Sequence, residues 1–146
     1  PSTRESFMSQ DRQVATAALL LRLALGTMFI AHALLKYFVF TLDGTAQYFG
    51  SLGLPPALGY VTFAAELVGG VMLVLGVYTR WVALALVPFL LGATWAHLGN
   101  GWLFSGKGGG WEYPVFLTLA AIVLALLPQA APVPWPASRA TALKPA

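Results

Sequence analysis

Long apolar runs, interrupted at only a few points, occupy most of this chain. The first covers residues 14–40 and ends in the polar Thr41-Leu42-Asp43-Gly44; residues 57–77, 81–98 and 112–127 form the others. A helix needs about 20 apolar residues to cross a hydrocarbon layer ~30 Å thick, so each run reads as a membrane span. Between the first two, Tyr48, Phe49 and Leu52 fall at helical spacing, which predicts a short helix over residues 44–54, lying in the interface with Asp43 as its N-cap. Pro55-Pro56 opens the second span, where a proline loses no intrahelical bond. Thr79-Arg80 reads as a very tight turn, and Pro88 is expected to kink the third span by removing a backbone hydrogen bond. Residues 99–110 are glycine-rich and read as a flexible loop, and the prolines after position 128 favour an extended tail. The expected fold is all-α: an integral membrane four-helix bundle over residues 14–127 with a short interfacial helix between spans one and two, a polar tail at 1–13 and a proline-rich tail at 128–146.

Composition agrees and narrows the function classes. Of 146 residues 58% are hydrophobic and 9% charged, with a mean hydropathy of +0.75, whereas a soluble domain carries roughly 25% charged residues. Four crossings leave only short loops, so no extramembrane catalytic domain fits. The chain has no cysteine, which excludes disulfide, thiolate and iron–sulfur chemistry and leaves only His and carboxylates for any zinc or copper site. The polar start and the length of the first run argue against a cleaved signal peptide.

The formal charge of +3 is small and scattered, and reads as topology information; no nucleic-acid partner is expected. Arg4, Arg12, Arg80, Arg139 and Lys144 would share one side of the membrane, and Lys36 and Lys107 the other. The positive-inside rule then puts both termini in the cytoplasm. His32 and Lys36 fall late in the outgoing first span, Glu66 partway along the ingoing second, His97 at the end of the third, and Glu112 at the start of the fourth. All five are thereby gathered in the outer half of the bilayer or its outer interface.

An ionisable group in hydrocarbon costs ~3 kcal/mol or more, so each needs a partner, a wet cavity or a task. His32 and Lys36, four apart, share a helix face. They are either a donor pair aimed at a ligand, or a histidine on a backbone carbonyl beside a lysine snorkelling to the headgroups. Glu66 sits ~13 Å into its helix, too deep to reach the interface comfortably. Burial favours its neutral acid and a nearby cation its carboxylate, so it suits proton exchange; the alternative is an ion pair that fixes helix packing. Gly69 and Gly70, with Ala65, form a small-residue strip beside it, read as close helix contact or as a flat ligand slot. His97 is an interfacial structural histidine or a ligand-binding one, and His32 with His97 would be the axial pair if the bundle held a b-type haem, a thin signal from two residues. Glu112 reads first as an acid at a helix N-terminus and second as a site residue. The stretch Gly101 to Gly108 matches seven places of a phosphate-binding loop but has Gly108 where a magnesium-binding Ser or Thr belongs, and follows a membrane helix instead of a strand. Tyr113 and the tryptophans fall near span ends, as interfacial belts do.

Several of these runs together resemble one family. Arg22-Leu23-Ala24-Leu25-Gly26 leading to His32 and Lys36, Tyr48-Phe49-Gly50-Ser51-Leu52-Gly53-Leu54-Pro55, Glu66-Leu67-Val68-Gly69-Gly70, and Leu75-Gly76-Val77-Tyr78-Thr79-Arg80 are similar to the DoxX family. So is the late glycine-rich loop running into Trp111-Glu112-Tyr113, and the resemblance covers about residues 17 to 127. One departure is Ala33, where many relatives carry a glycine after the first-helix histidine. The resemblance implies a small four-helix bacterial inner-membrane protein, linked to quinone-coupled thiosulfate oxidation, to redox-stress responses or to accessory roles beside other enzymes. On that basis the expected function is a quinone- or redox-linked subunit or accessory with a membrane or periplasmic protein partner, quinone as the candidate cofactor, and His32, Lys36, Glu66, His97 and Glu112 as the candidate ligand-binding set, with Glu66 exchanging protons. The alternative is a structural subunit that docks a membrane partner without chemistry of its own. A transporter is disfavoured because no span shows repeat-related broken helices.

Overall fold

The computed structural model describes residues 3–128, so the proline-rich tail expected beyond Pro128 lies outside the described residues. Within them the chain is all-helical: α1 (Thr3–Phe38), α2 (Leu42–Ser51), α3 (Ala57–Leu75), α4 (Thr79–His97), a single 3-10 turn (Leu98–Asn100) and α5 (Glu112–Leu126). Three helices are long and apolar enough to cross a membrane, and α5 is a shorter apolar one. The main packing partners are α1 with α3, α3 with α4, α4 with α5 and α5 with α1, which closes an antiparallel four-helix ring, while α2 lies against α3. Leu25 and Phe29 of α1, Leu73 of α3, Leu86 and Leu90 of α4, and Leu117 and Leu124 of α5 fill its centre. The outward faces carry exposed Leu, Val and aromatic side chains, as a lipid-facing surface should, since lipid tails are as apolar as leucine.

Glycine sets the closest crossing. A Cβ on Gly26 would lie 2.8 Å from the Gly70 carbonyl oxygen, and one on Gly70 would lie 2.9 Å from the Gly26 oxygen. Only the missing side chains let α1 and α3 meet backbone to backbone. Gly69 faces the other way, onto the Leu86 side chain of α4. Both glycines are thus occupied by helix contact, and neither opens a ligand slot.

Several boundaries differ from expectation for local reasons. Thr41, not Asp43, caps α2: its Oγ1 accepts from the Gly44 N–H at 3.1 Å, while the Asp43 carboxylate accepts from the Tyr60 hydroxyl at 2.5 Å. The N-cap oxygen must reach back to the N2 or N3 amide, and in this register Thr41 stands where that is possible. Thr79 and Arg80 are the first turn of α4, and the chain reverses at Gly76 to Tyr78 instead, both of which hold positive φ (74° and 47°). A polar pair suggested the turn; the left-handed glycine makes it. Pro88 lies inside α4, as expected of the third span. Finally, α1 extends back to Thr3, so the polar stretch before residue 14 continues the helix instead of standing apart from it.

Candidate functional site

The antiparallel register of α1 and α3 decides what Lys36 and Glu66 can do. Arg22 sits against Gly76, Gly26 against Gly70 and Val74, and Ile30 against Gly70. Continued toward the other end, that register puts Glu66 level with His32 and about one turn short of Lys36. Helical side chains lean toward their own N-terminus, so Lys36 leans back into the bundle, and Glu66, on a helix running the other way, leans up to meet it. They meet at 2.7 Å from Nζ to Oε2, with Oε1 at 3.0 Å. Lys36 therefore turns inward and does not snorkel to the headgroups. Glu66 is 9% exposed, and only a charge partner makes a carboxylate tolerable at that depth.

His32 completes this corner from the α1 side. Its Nδ1 lies 2.8 Å from the Met28 carbonyl oxygen; a carbonyl only accepts, so Nδ1 carries the proton and Nε2 is left for another partner. The imidazole is also within electrostatic range of Glu66. It stacks on Tyr113 of α5, ring centroids 5.7 Å apart, and Tyr113 in turn meets Phe104 at 5.2 Å. The Tyr113 hydroxyl oxygen is buried and has no hydrogen-bond partner among the described residues, which is uncommon, because an unmet buried hydroxyl costs ~1–3 kcal/mol.

The loop before α5 is built over the same end of the bundle. Asn100 Nδ2 donates to the carbonyls of Gly108 and Gly109, both at 3.0 Å, and the Phe104 amide donates to Glu112 Oε1 at 2.7 Å. Backbone bonds from Trp111 to Gly101 and from Glu112 to Trp102, at 3.1 and 3.0 Å, tie the loop ends together. A loop read as flexible is pinned at both ends and in the middle.

The five candidate residues do not therefore form one constellation. Lys36, Glu66 and His32 converge. Glu112 holds the loop through the Phe104 amide, and by doing so places Phe104 on Tyr113. His97 holds the Ala93 carbonyl through Nδ1 at 2.7 Å, and its ring comes near Gly109 of the loop. Among the described residues no group of three His, Cys, Asp or Glu side chains is placed to hold a metal ion. Sequence reading assigned Tyr113 to an interfacial belt and missed its place against His32; the only signal was its position in the first turn of α5, one residue after Glu112.

A membrane-embedded antiparallel helical ring with a lysine–glutamate pair between its first and third helices is the class of protein that fold and site define. The DoxX family model matches residues 17–99, and the chain belongs to that family. A protein of Bacillus subtilis (strain 168) named "Putative oxidoreductase CatD" is 41% identical over 86 residues, which is 59% of this chain and 61% of that protein. The match spans about three-fifths of that relative's length. No solved structure matches the chain significantly.

Proposed function

We propose that the corner formed by Lys36, Glu66, His32 and Tyr113 binds the head of a lipid-soluble quinone, and that the protein serves as a quinone- or redox-linked subunit or accessory of a larger system in a bacterial inner membrane. The observation that carries this reading is the Tyr113 hydroxyl, buried without a partner against an imidazole with a free Nε2. Two hydrogen-bonding groups with nothing to bond among the described residues, set among aromatic rings, suit a flat ligand with carbonyl oxygens. The name of the Bacillus relative speaks for redox work. A bound quinone would supply two-electron, two-proton chemistry. Tyr113 would donate to a carbonyl oxygen, His32 would orient the head, and Glu66 would take up or release a proton while Lys36 holds its charge in check. His97 and Glu112 would act at one remove, by fixing the loop above.

The test is a titration of the full chain in mild detergent with a short-chain quinone, read by tryptophan fluorescence, since Trp102 and Trp111 lie together in the loop. Saturable quenching is expected, weakened about fivefold by Tyr113→Phe, the worth of one hydrogen bond of ~1 kcal/mol. Glu66→Gln should still bind yet lose quinone-dependent turnover of the assembled system. A second reading has its own support: Lys36 satisfies both Glu66 oxygens and clips α1 to α3, which a purely structural subunit also needs. Quenching that does not saturate, together with wild-type turnover in Glu66→Gln, would decide for that reading.

A further inference from the structure

The opposite end of the α1–α3 contact carries a charge with no countercharge among the described residues. Arg22 lies 14 residues before Lys36 on α1, ~21 Å along the helix axis. Its guanidinium is laid over Gly76, the left-handed C-cap of α3 (φ 74°), where any Cβ would collide with Nη1. Arg22 Nε is buried without a hydrogen-bond partner, and the guanidinium forms no ion pair among the described residues.

Among the described side chains no carboxylate supplies the missing charge. There are five acidic residues: Asp43, Glu66 and Glu112 belong to the Lys36 half of the molecule, and Asp11 and Glu5 lie 11 and 17 residues before Arg22 on α1, ~16 and ~25 Å of helical rise away. The C-terminal end of α3 offers a partial charge of about −0.5, which leaves roughly half of the cation uncompensated. Arg80, in the first turn of α4 at this end, adds a second positive charge, with its Nε committed to the Ala125 carbonyl at 3.0 Å. Leu19, Leu20 and Leu23 around Arg22 are exposed, so the guanidinium at the end of α3 borders the outward apolar surface of α1.

We propose that Arg22, seated on the C-terminal end of α3, binds a phosphate group. Guanidinium and phosphate match in a two-pronged, charge-assisted geometry, and a phosphate can come from an anionic lipid headgroup or from solution. The role is independent of any ligand at the Lys36 end.

The test uses the full chain in mild detergent at ~0.15 M salt, where exposed charges are screened beyond ~8 Å and only close contact counts. Native mass spectrometry compares retained dioleoyl-phosphatidylglycerol with dioleoylglycerol, which has the same acyl chains and no phosphate; a parallel melting curve compares inorganic phosphate with chloride at equal ionic strength. Wild type should retain the phospholipid about tenfold over the diacylglycerol, in line with charge-assisted hydrogen bonds. Arg22→Gln should bring the two to parity, and Arg22→Lys should keep part of the preference. A melting shift with inorganic phosphate over chloride, together with equal retention of the two lipids, would assign the phosphate to a soluble source. Equal retention of both lipids by wild type with no phosphate shift overturns the proposal, and so does an Arg22→Gln variant that keeps the wild-type preference. The wild-type comparison decides even if Arg22→Gln fails to fold.

Discussion

At the scale of single residues, the molecule turns on where a buried charge finds its partner. Lys36 and Glu66 sit 17% and 12% exposed at their side chains, and each makes the other tolerable. Removing one leaves a lone charge in a nonpolar setting, so Lys36→Met should cost several kcal/mol, by analogy with the ~3–5 kcal/mol of buried pairs broken on one side. Replacing both, as Lys36→Met with Glu66→Leu, should recover most of that loss and can even exceed wild type, because the desolvation cost disappears with the pair. Melting temperatures of the two single variants and the double one check this as a thermodynamic cycle. A double variant as unstable as either single one would mean that the surroundings, not the pair, demand charge there. Glu66 itself was legible from sequence, since an acid at that depth has to be compensated. Which of the nearby bases does so was not, because the answer lies in the lean of two antiparallel helices and in their register. The contacts of Tyr113 were hidden for the same reason: its neighbours come from α1 and from the loop, and nothing in its own sequence surroundings names them.

At the scale of elements, small residues determine how the helices touch. The sequence showed a strip of glycines but not that Gly69 and Gly70, adjacent in the chain, serve two interfaces. Consecutive residues on a helix point about 100° apart, so one meets α4 and the other α1. Gly26→Ala places its new carbon 2.8 Å from both the Gly70 oxygen and Val74 Cγ2, and one of the two obstacles is backbone. It should destabilise by ~1–3 kcal/mol, the range for overpacking. Gly92, on α4, has nothing within 4 Å of such a carbon, and Gly92→Ala should be neutral or slightly stabilising, since alanine is favoured over glycine in a helix by ~1 kcal/mol. Membrane yield and melting temperature of the two variants, measured side by side, separate interface packing from helix propensity. Helix existence was readable throughout, from run length and hydropathy. Helix ends were not: the turn before α4 depends on a left-handed Gly76, and the cap of α2 on a threonine two residues ahead of the acid that looked like one.

At the scale of the whole molecule, the distribution of basic residues predicts both termini in the cytoplasm and the loop of residues 101–111 outside. A cysteine-free chain makes this direct to measure with single introduced thiols. In intact cells Ser105→Cys should react with a membrane-impermeant maleimide, and Gln10→Cys should react only after permeabilisation. The reverse pattern would move the Lys36–Glu66 corner to the inner leaflet and Arg22 to the outer one. Helix length carries a further consequence. With 15 residues, α5 rises only ~22 Å, against a hydrocarbon layer of ~30 Å. The bilayer beside it has to dimple, or the apolar tip of the neighbouring loop, exposed at Trp102, Leu103 and Phe104, has to sink to the level of the acyl chains. Either accommodation acts on the side of the ring where Tyr113 sits. Hydrophobic mismatch therefore makes this flank sensitive to membrane thickness, and reconstitution into lipids of increasing chain length should lower the melting temperature as the dimple deepens.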